Sequence, residues 1–134
     1  KSLTRLIVQL TGRIDMGKYA DRIAELDAHT GDLYKLAPDP VKAFGALSKT
    51  AQTPGVLDKK TKELIALAIS VATRCDGCIA YHARNSVRQG ATRQEVAEML
   101  AVTVQMGGGP SLVHAADALH AFDEFSAAAK PVEA

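Results

Sequence analysis

The apolar positions of this chain recur at three- and four-residue steps, the period of an amphipathic α-helix. Leu3, Leu6, Ile7 and Leu10 set a first short stripe over residues 1–14, an N-terminal arm or short helix. Met16, Tyr19, Ala20, Ile23 and Leu26 share the next helical face, which "HTGD" is expected to end. Asp39-Pro40 suggests an N-cap followed by proline at the first helical position. Behind it, Val41, Phe44, Leu47 and Ala51 form a stripe, and "TPG" at 53–55 breaks it. Asp58 can cap "KKTKELIALAISVATR", which from Leu64 to Ala72 is apolar nearly all round. A helix without a polar face is buried on all sides, so this one is expected at the centre or at a subunit interface.

"CDGC" interrupts that run, with Asp76-Gly77 as the expected break, and "IAYHARNSVRQ" carries a further helix to Gly90. "TRQE" at Thr92–Glu95 has the pattern of a capping box. Val96, Met99, Leu100 and Thr103 follow at helical spacing. "GGGP" at 107–110 stops that helix, and Pro110 can start the last one, striped by Leu112, Ala115, Ala116, Leu119 and Phe122. Residues 127–134 read as a frayed tail. No segment alternates as a strand, and no linker or repeat divides the chain. The expectation is one all-α domain over residues 1–134.

Composition agrees. Of 134 residues, 47% are hydrophobic but only 4% aromatic, so the apolar mass is Ala, Leu, Val and Ile, which suits closely packed helices. A chain of this length buries roughly two-thirds of its unfolded surface and needs no staples. Sixteen basic and fifteen acidic residues leave a formal charge of +1, which gives no electrostatic reason to expect nucleic acid or an anionic membrane as partner. No apolar run nears the roughly 18 residues of a membrane span. The start carries Arg5 and Gln9 and no small-residue cleavage pattern, so no signal peptide is expected. Two cysteines in such a chain do not form a secreted disulfide scaffold; a cytoplasmic location is the better expectation.

Both cysteines lie in "RCDGCIAYHARN", three apart, with His82 four residues after Cys78. Thiolate is the reactive form of cysteine, and a free thiol with pKa ~8.5 is mostly protonated at neutral pH. The N–H groups of a helix starting near Cys75 favour negative charge on sulfur. His82 lies one turn beyond Cys78 on the same face and can take the thiol proton. On such a turn the two Cα atoms come within bridging range, about 5–6 Å.

Glu63 is a fourth element, on an otherwise apolar face with Leu67 and Ser70. If "CDGC" reverses the chain into an antiparallel hairpin, Glu63 lies about 16 Å back from Arg74 and His82 about 10 Å on from Cys75. The order along the pair is then Glu63, His82, Cys78, Cys75. A carboxylate would orient the imidazole, and the imidazole would serve the nearer sulfur.

Two bland alternatives stand beside this one. Cys75, Cys78 and His82 could bind zinc with a fourth ligand from His29, His114 or His120, although no second ligand knuckle exists. Glu63 could be a solvated first-turn residue favoured by the helix dipole. Tyr81 reads as packing, and Arg74, Arg84 and Arg88 as a solvated face, with Arg74 also able to favour a thiolate at Cys75.

The stretch from Lys60 to Ser111, with its Glu-x11-Cys-x-x-Cys-x3-His spacing, resembles the alkylhydroperoxidase AhpD-like family of the carboxymuconolactone decarboxylase superfamily. The resemblance covers about residues 38–125. It implies an all-helical fold assembling as trimers or hexamers. It also implies reduction of organic hydroperoxides by a dithiol, with electrons from a thiol or dithiol protein reductant and no bound cofactor or metal. The proton relay of that family corresponds to Glu63, Cys75, Cys78 and His82. Cys78, nearest His82, is the preferred nucleophile; the position of Cys75 at the helix start argues for the opposite order. The best-studied members carry histidine where this chain has Gly77, and the lactone decarboxylase branch generally lacks the cysteine pair. A general disulfide oxidoreductase or redox sensor without peroxide turnover uses the same residues.

Overall fold

The computed structural model describes residues 17–130. They form six helices: α1 (Lys18–Leu36), α2 (Pro38–Ala51), α3 (Lys59–Ala72), α4 (Asp76–Arg88), α5 (Arg93–Gly107) and α6 (Gly109–Ala129). Among the described residues there is no strand, so the all-α expectation holds. No helix among them is long and apolar enough to cross a membrane. The expected arm at 1–14 and the end of the tail lie outside the described residues.

The core gathers around the α3–α4 hairpin and α6. Leu67 and Val71 of α3, Ile79, Ala80 and Ala83 of α4, and Ala118, Ala121 and Phe122 of α6 are almost completely buried. The alanines suit a close approach of α4 and α6, and Phe122 is the largest of the fully buried side chains. Val96 and Leu100 of α5 and Tyr19 and Ile23 of α1 close the cluster.

Caps fix where the helices start. Asp58 accepts the Thr61 N–H at 2.7 Å, and that bond holds its carboxyl below the usual range. Thr92 and Glu95 form the reciprocal capping box expected of "TRQE". At α1 the cap comes from elsewhere: the Glu124 carboxylate of α6 accepts the N–H groups of Tyr19 (3.0 Å) and Ala20 (3.1 Å). Gly17 precedes them at φ +100°, and a Cβ there would meet that carboxyl at 2.7 Å.

Several expected boundaries move. α1 runs through "HTGD" to Leu36, because one interior glycine costs only about 1 kcal/mol. The stop comes from Pro38, which drives Ala37 out of the helical region (φ −138°, ψ 67°). α2 therefore starts at Pro38, with Asp39 in its first turn rather than at the cap. Its stripe does not reach the core: no residue of α2 is buried, and Phe44 and Leu47 are 68% and 64% exposed. Nor is α3 covered all round, since Ile65 and Ile69 stay open. On α6 the buried face is Ala115, Ala118, Ala121, Phe122 and Phe125, with Leu112 and Ala116 outside. Residues 127–129 continue α6 instead of fraying.

Candidate active site

The turn between α3 and α4 builds the site. α3 ends in a Schellman motif: Cys75 N–H donates to Ser70 O at 3.0 Å and Arg74 N–H to Val71 O at 3.1 Å. Arg74 takes the left-handed position, φ +58°, usually filled by glycine. The break thus falls at Arg74, and Asp76 and Gly77, expected to form it, lie in the first turn of α4.

Cys75 is the N-cap of α4, and its Sγ accepts the Cys78 N–H at 3.3 Å. The two sulfurs form a disulfide, with Cα atoms 5.2 Å apart. Both residues are half-buried. Asp76 accepts from Arg22 Nε at 3.1 Å, and that guanidinium holds its carboxyl low. Leu26 of α1 lies against Gly77: a Cβ there would come within 2.5 Å of the Leu26 Cδ1 methyl. A side chain at position 77 would have to displace that methyl. Tyr81 donates its hydroxyl to Asp27; burial and then the Asp27 carboxylate push the phenol up to about 12. Arg22, Leu26 and Asp27 therefore hold α1 along one side of α4.

The other side of α4 faces α3. His82 Nδ1 and Glu63 Oε2 are hydrogen-bonded at 2.7 Å. The Glu63 side chain is 3% exposed and that of His82 29%, so the acid lies inside and the imidazole at the border. The second Glu63 oxygen, Oε1, accepts from Asn85 Nδ2 at 3.4 Å. The hairpin thus brings the Glu63 carboxylate of α3 to the imidazole of α4, the helix whose N-terminus carries both sulfurs, as the spacing predicts. Glu63 is not the solvated first-turn residue of the bland alternative. Asn85 was missed, although it shares the face of Cys78 and His82 at seven and three residues' distance.

The other candidates lie elsewhere. His29 and His120 are exposed, and His120 meets the Tyr19 ring edge-on with centroids 6.1 Å apart. Half-buried His114 borders a cavity of about 300 Å³ between α1, α4 and α6, with Lys18, Arg22, Asp76 and Asp117. Among the described residues, no group of three or more His, Cys, Asp or Glu side chains could hold a metal ion. Arg74 and Arg88 are solvated as expected, but Arg84 is half-buried, 5.5 Å over the Tyr81 ring. Burial, then Arg88, lowers its pKa. An open apolar groove of about 770 Å³ runs between α3 and α5, lined by Ile65, Ile69, Val102 and Met106 among others.

Comparison with known proteins gives this arrangement a context. The model of the carboxymuconolactone decarboxylase family matches residues 38–121. An uncharacterized protein of Cupriavidus necator is 39% identical over 106 residues, covering 79% of this chain and 94% of that one. Uncharacterized protein 4 in the cox locus of Paracoccus denitrificans is 42% identical over 86 residues, covering 64% of this chain and 78% of its own. Among solved structures, the apo form of a carboxymuconolactone decarboxylase family protein from Legionella pneumophila has a TM-score of 0.78 at 44% identity, over 81% of this chain and 96% of that one. A family member from Thermotoga maritima, with a suggested involvement in antioxidative response, has a TM-score of 0.69 at 32% identity, over 77% and 88%. The family model takes in α2 to α5 and much of α6, including Glu63, the cysteine pair and His82, and on this ground the chain belongs to the carboxymuconolactone decarboxylase family.

Proposed function

We propose that this protein is a thiol-dependent reductase of organic hydroperoxides that cycles Cys75 and Cys78 between dithiol and disulfide. The observation that carries this reading is the 2.7 Å hydrogen bond from His82 to buried Glu63, on the helix that bears the disulfide. His82 follows Cys78 by one turn of α4 and is hydrogen-bonded to Glu63, an arrangement that supports reading them as nucleophile, base and orienter. The Thermotoga relative's suggested antioxidative role supports the same class of chemistry.

In this cycle the Cys78 thiolate attacks the terminal oxygen of the hydroperoxide. The O–O bond breaks, and the alkoxide leaves with the electron pair and takes a proton from the relay. The sulfenic acid on Cys78 condenses with the Cys75 thiol, releasing water and forming the disulfide. Both electrons come from the two thiols. A thiol or dithiol protein reductant restores them by exchange. A cytoplasmic location fits, because a disulfide in a reducing compartment belongs to catalysis rather than to a scaffold.

Cumene hydroperoxide added to the reduced protein should oxidise both thiols with one equivalent and yield the alcohol. Added dithiol should make the consumption catalytic. Thiols that survive excess hydroperoxide would overturn the reading. The Gly77 departure favours a second one, a general disulfide oxidoreductase or sensor, selected by rapid oxidation with a protein disulfide but not with hydroperoxide.

The protein is also proposed to form a homo-oligomer, a trimer or hexamer. Ile69, Val102 and Met106 line the α3–α5 groove at 57%, 58% and 80% exposure, and α2 leaves Phe44 and Leu47 open on the same chain. Large apolar side chains left open along a groove support an interaction surface there. Light scattering should give a trimeric or hexameric mass, and Ile69→Lys should lower it. A wild-type monomer would exclude the assembly.

A further inference from the structure

Glu63 presents an accounting problem that the His82 bond alone does not solve. The residue is 2% exposed, and its carboxylate has two oxygens, each wanting donors that water cannot supply there. Oε2 has His82. The partner of Oε1 is the Asn85 amide at 3.4 Å, from the same helix one turn further on. A buried polar atom without a donor carries the full desolvation cost of that atom.

We propose that Asn85 is a positioning residue: its amide anchors Oε1 so that Oε2 stays aligned with His82 Nδ1, which fixes the imidazole in the tautomer with the proton on Nδ1. The inference rests on the proposed reductase reading for its catalytic meaning, though not for its geometry. Three features support it. Asn85 and His82 are three residues apart on α4, so one rigid helix grips both oxygens of the carboxylate. The amide is a neutral donor: it satisfies the oxygen without adding a cation that would compete with the imidazole for the Glu63 charge, as Lys or Arg would. Finally, with Nδ1 committed to Glu63, Nε2 is left as the nitrogen that exchanges a proton with sulfur. Without the second anchor the carboxylate can rotate about its last torsion, which is broad and soft, and Nδ1 loses its fixed acceptor.

The test uses the full chain in its oxidised form, with the ring nitrogens of His82 followed by ¹⁵N NMR at about pH 9, where an ordinary imidazole is neutral. Wild type should show one tautomer, protonated on Nδ1. Asn85→Ala should show a mixture of tautomers. So should Asn85→Asp, which keeps the size but replaces the donor with an acceptor. In the hydroperoxide assay both variants should lose about tenfold in kcat/KM, while Asn85→Gln, which keeps an amide, should lose less. Wild-type tautomer patterns in both Ala and Asp variants overturn the proposal, whether or not turnover falls, since lost activity with an intact tautomer marks a merely structural role. The NMR arm needs no peroxide, so it stands or falls separately from the reductase reading. That reading fails if wild-type thiols ignore hydroperoxide.

Discussion

Cys78→Ser should abolish hydroperoxide turnover, by at least about a thousandfold, because a serine hydroxyl at neutral pH is neither ionised nor soft enough to attack the peroxide bond. Cys75→Ser should behave differently. With the nucleophile intact and its partner gone, one equivalent of hydroperoxide is consumed and the reaction stops at a sulfenic acid on Cys78, which a 1,3-dione reagent can trap and mass spectrometry can place. The proposed asymmetry rests on where the two residues sit. Cys78 is one helical turn from His82 on the same face, whereas Cys75 occupies the N-cap, where its sulfur takes the Cys78 N–H at 3.3 Å. A sulfur with a backbone donor is the better leaving group when a reductant attacks the other end of the disulfide. The two variants therefore separate attack from resolution. Sulfenic acid on Cys75 in the Cys78→Ser protein would exchange the two roles, and unimpaired turnover in both variants would remove the dithiol from the mechanism.

The parts of this structure legible in the sequence are those set by local chemistry. Asp58 and the Thr92–Glu95 box cap their helices as their side chains dictate, and the α3–α4 hairpin forms as the expected interruption near "CDGC" implies, with the break itself at Arg74. The Glu63–His82 contact was legible because two helical rises and one reversal fix it almost completely. What escaped was decided by distant residues. No local pattern shows that Glu124 of α6 caps α1, that Leu26 fills the space beside Gly77, or that Arg74 rather than a glycine takes the left-handed turn. The α2 stripe and the open side of α3 misled for the opposite reason. Their periodicity marks apolar faces correctly, but a periodicity cannot say whether the cover comes from the same chain.

Glu63→Gln should separate activity from stability. The amide has nearly the volume of the carboxylate, so packing around this 2% exposed residue is kept. Its chemistry is not. The carboxylate is an acceptor only, and its Oε2 lies 2.7 Å from His82 Nδ1, where the proposed tautomer carries its proton. Glutamine can present its NH₂ to that nitrogen, turn Nδ1 into an acceptor and move the proton to Nε2, the nitrogen that the proposed relay needs free to receive one from sulfur. Changes of this kind, acid to amide behind a catalytic histidine, cost up to about 10⁴-fold in rate. A loss of 10²- to 10⁴-fold in kcat/KM is therefore expected. Stability should move the other way or not at all, because a buried amide carries a much smaller desolvation cost than a buried carboxylate. Thermal unfolding should show a Tm equal to or above wild type. Glu63→Gln with near-wild-type kcat/KM would remove the relay. A fall in Tm parallel to the fall in rate would instead make Glu63 a packing residue. In the proposed relay the buried acid costs stability and returns rate, by holding the imidazole in one orientation.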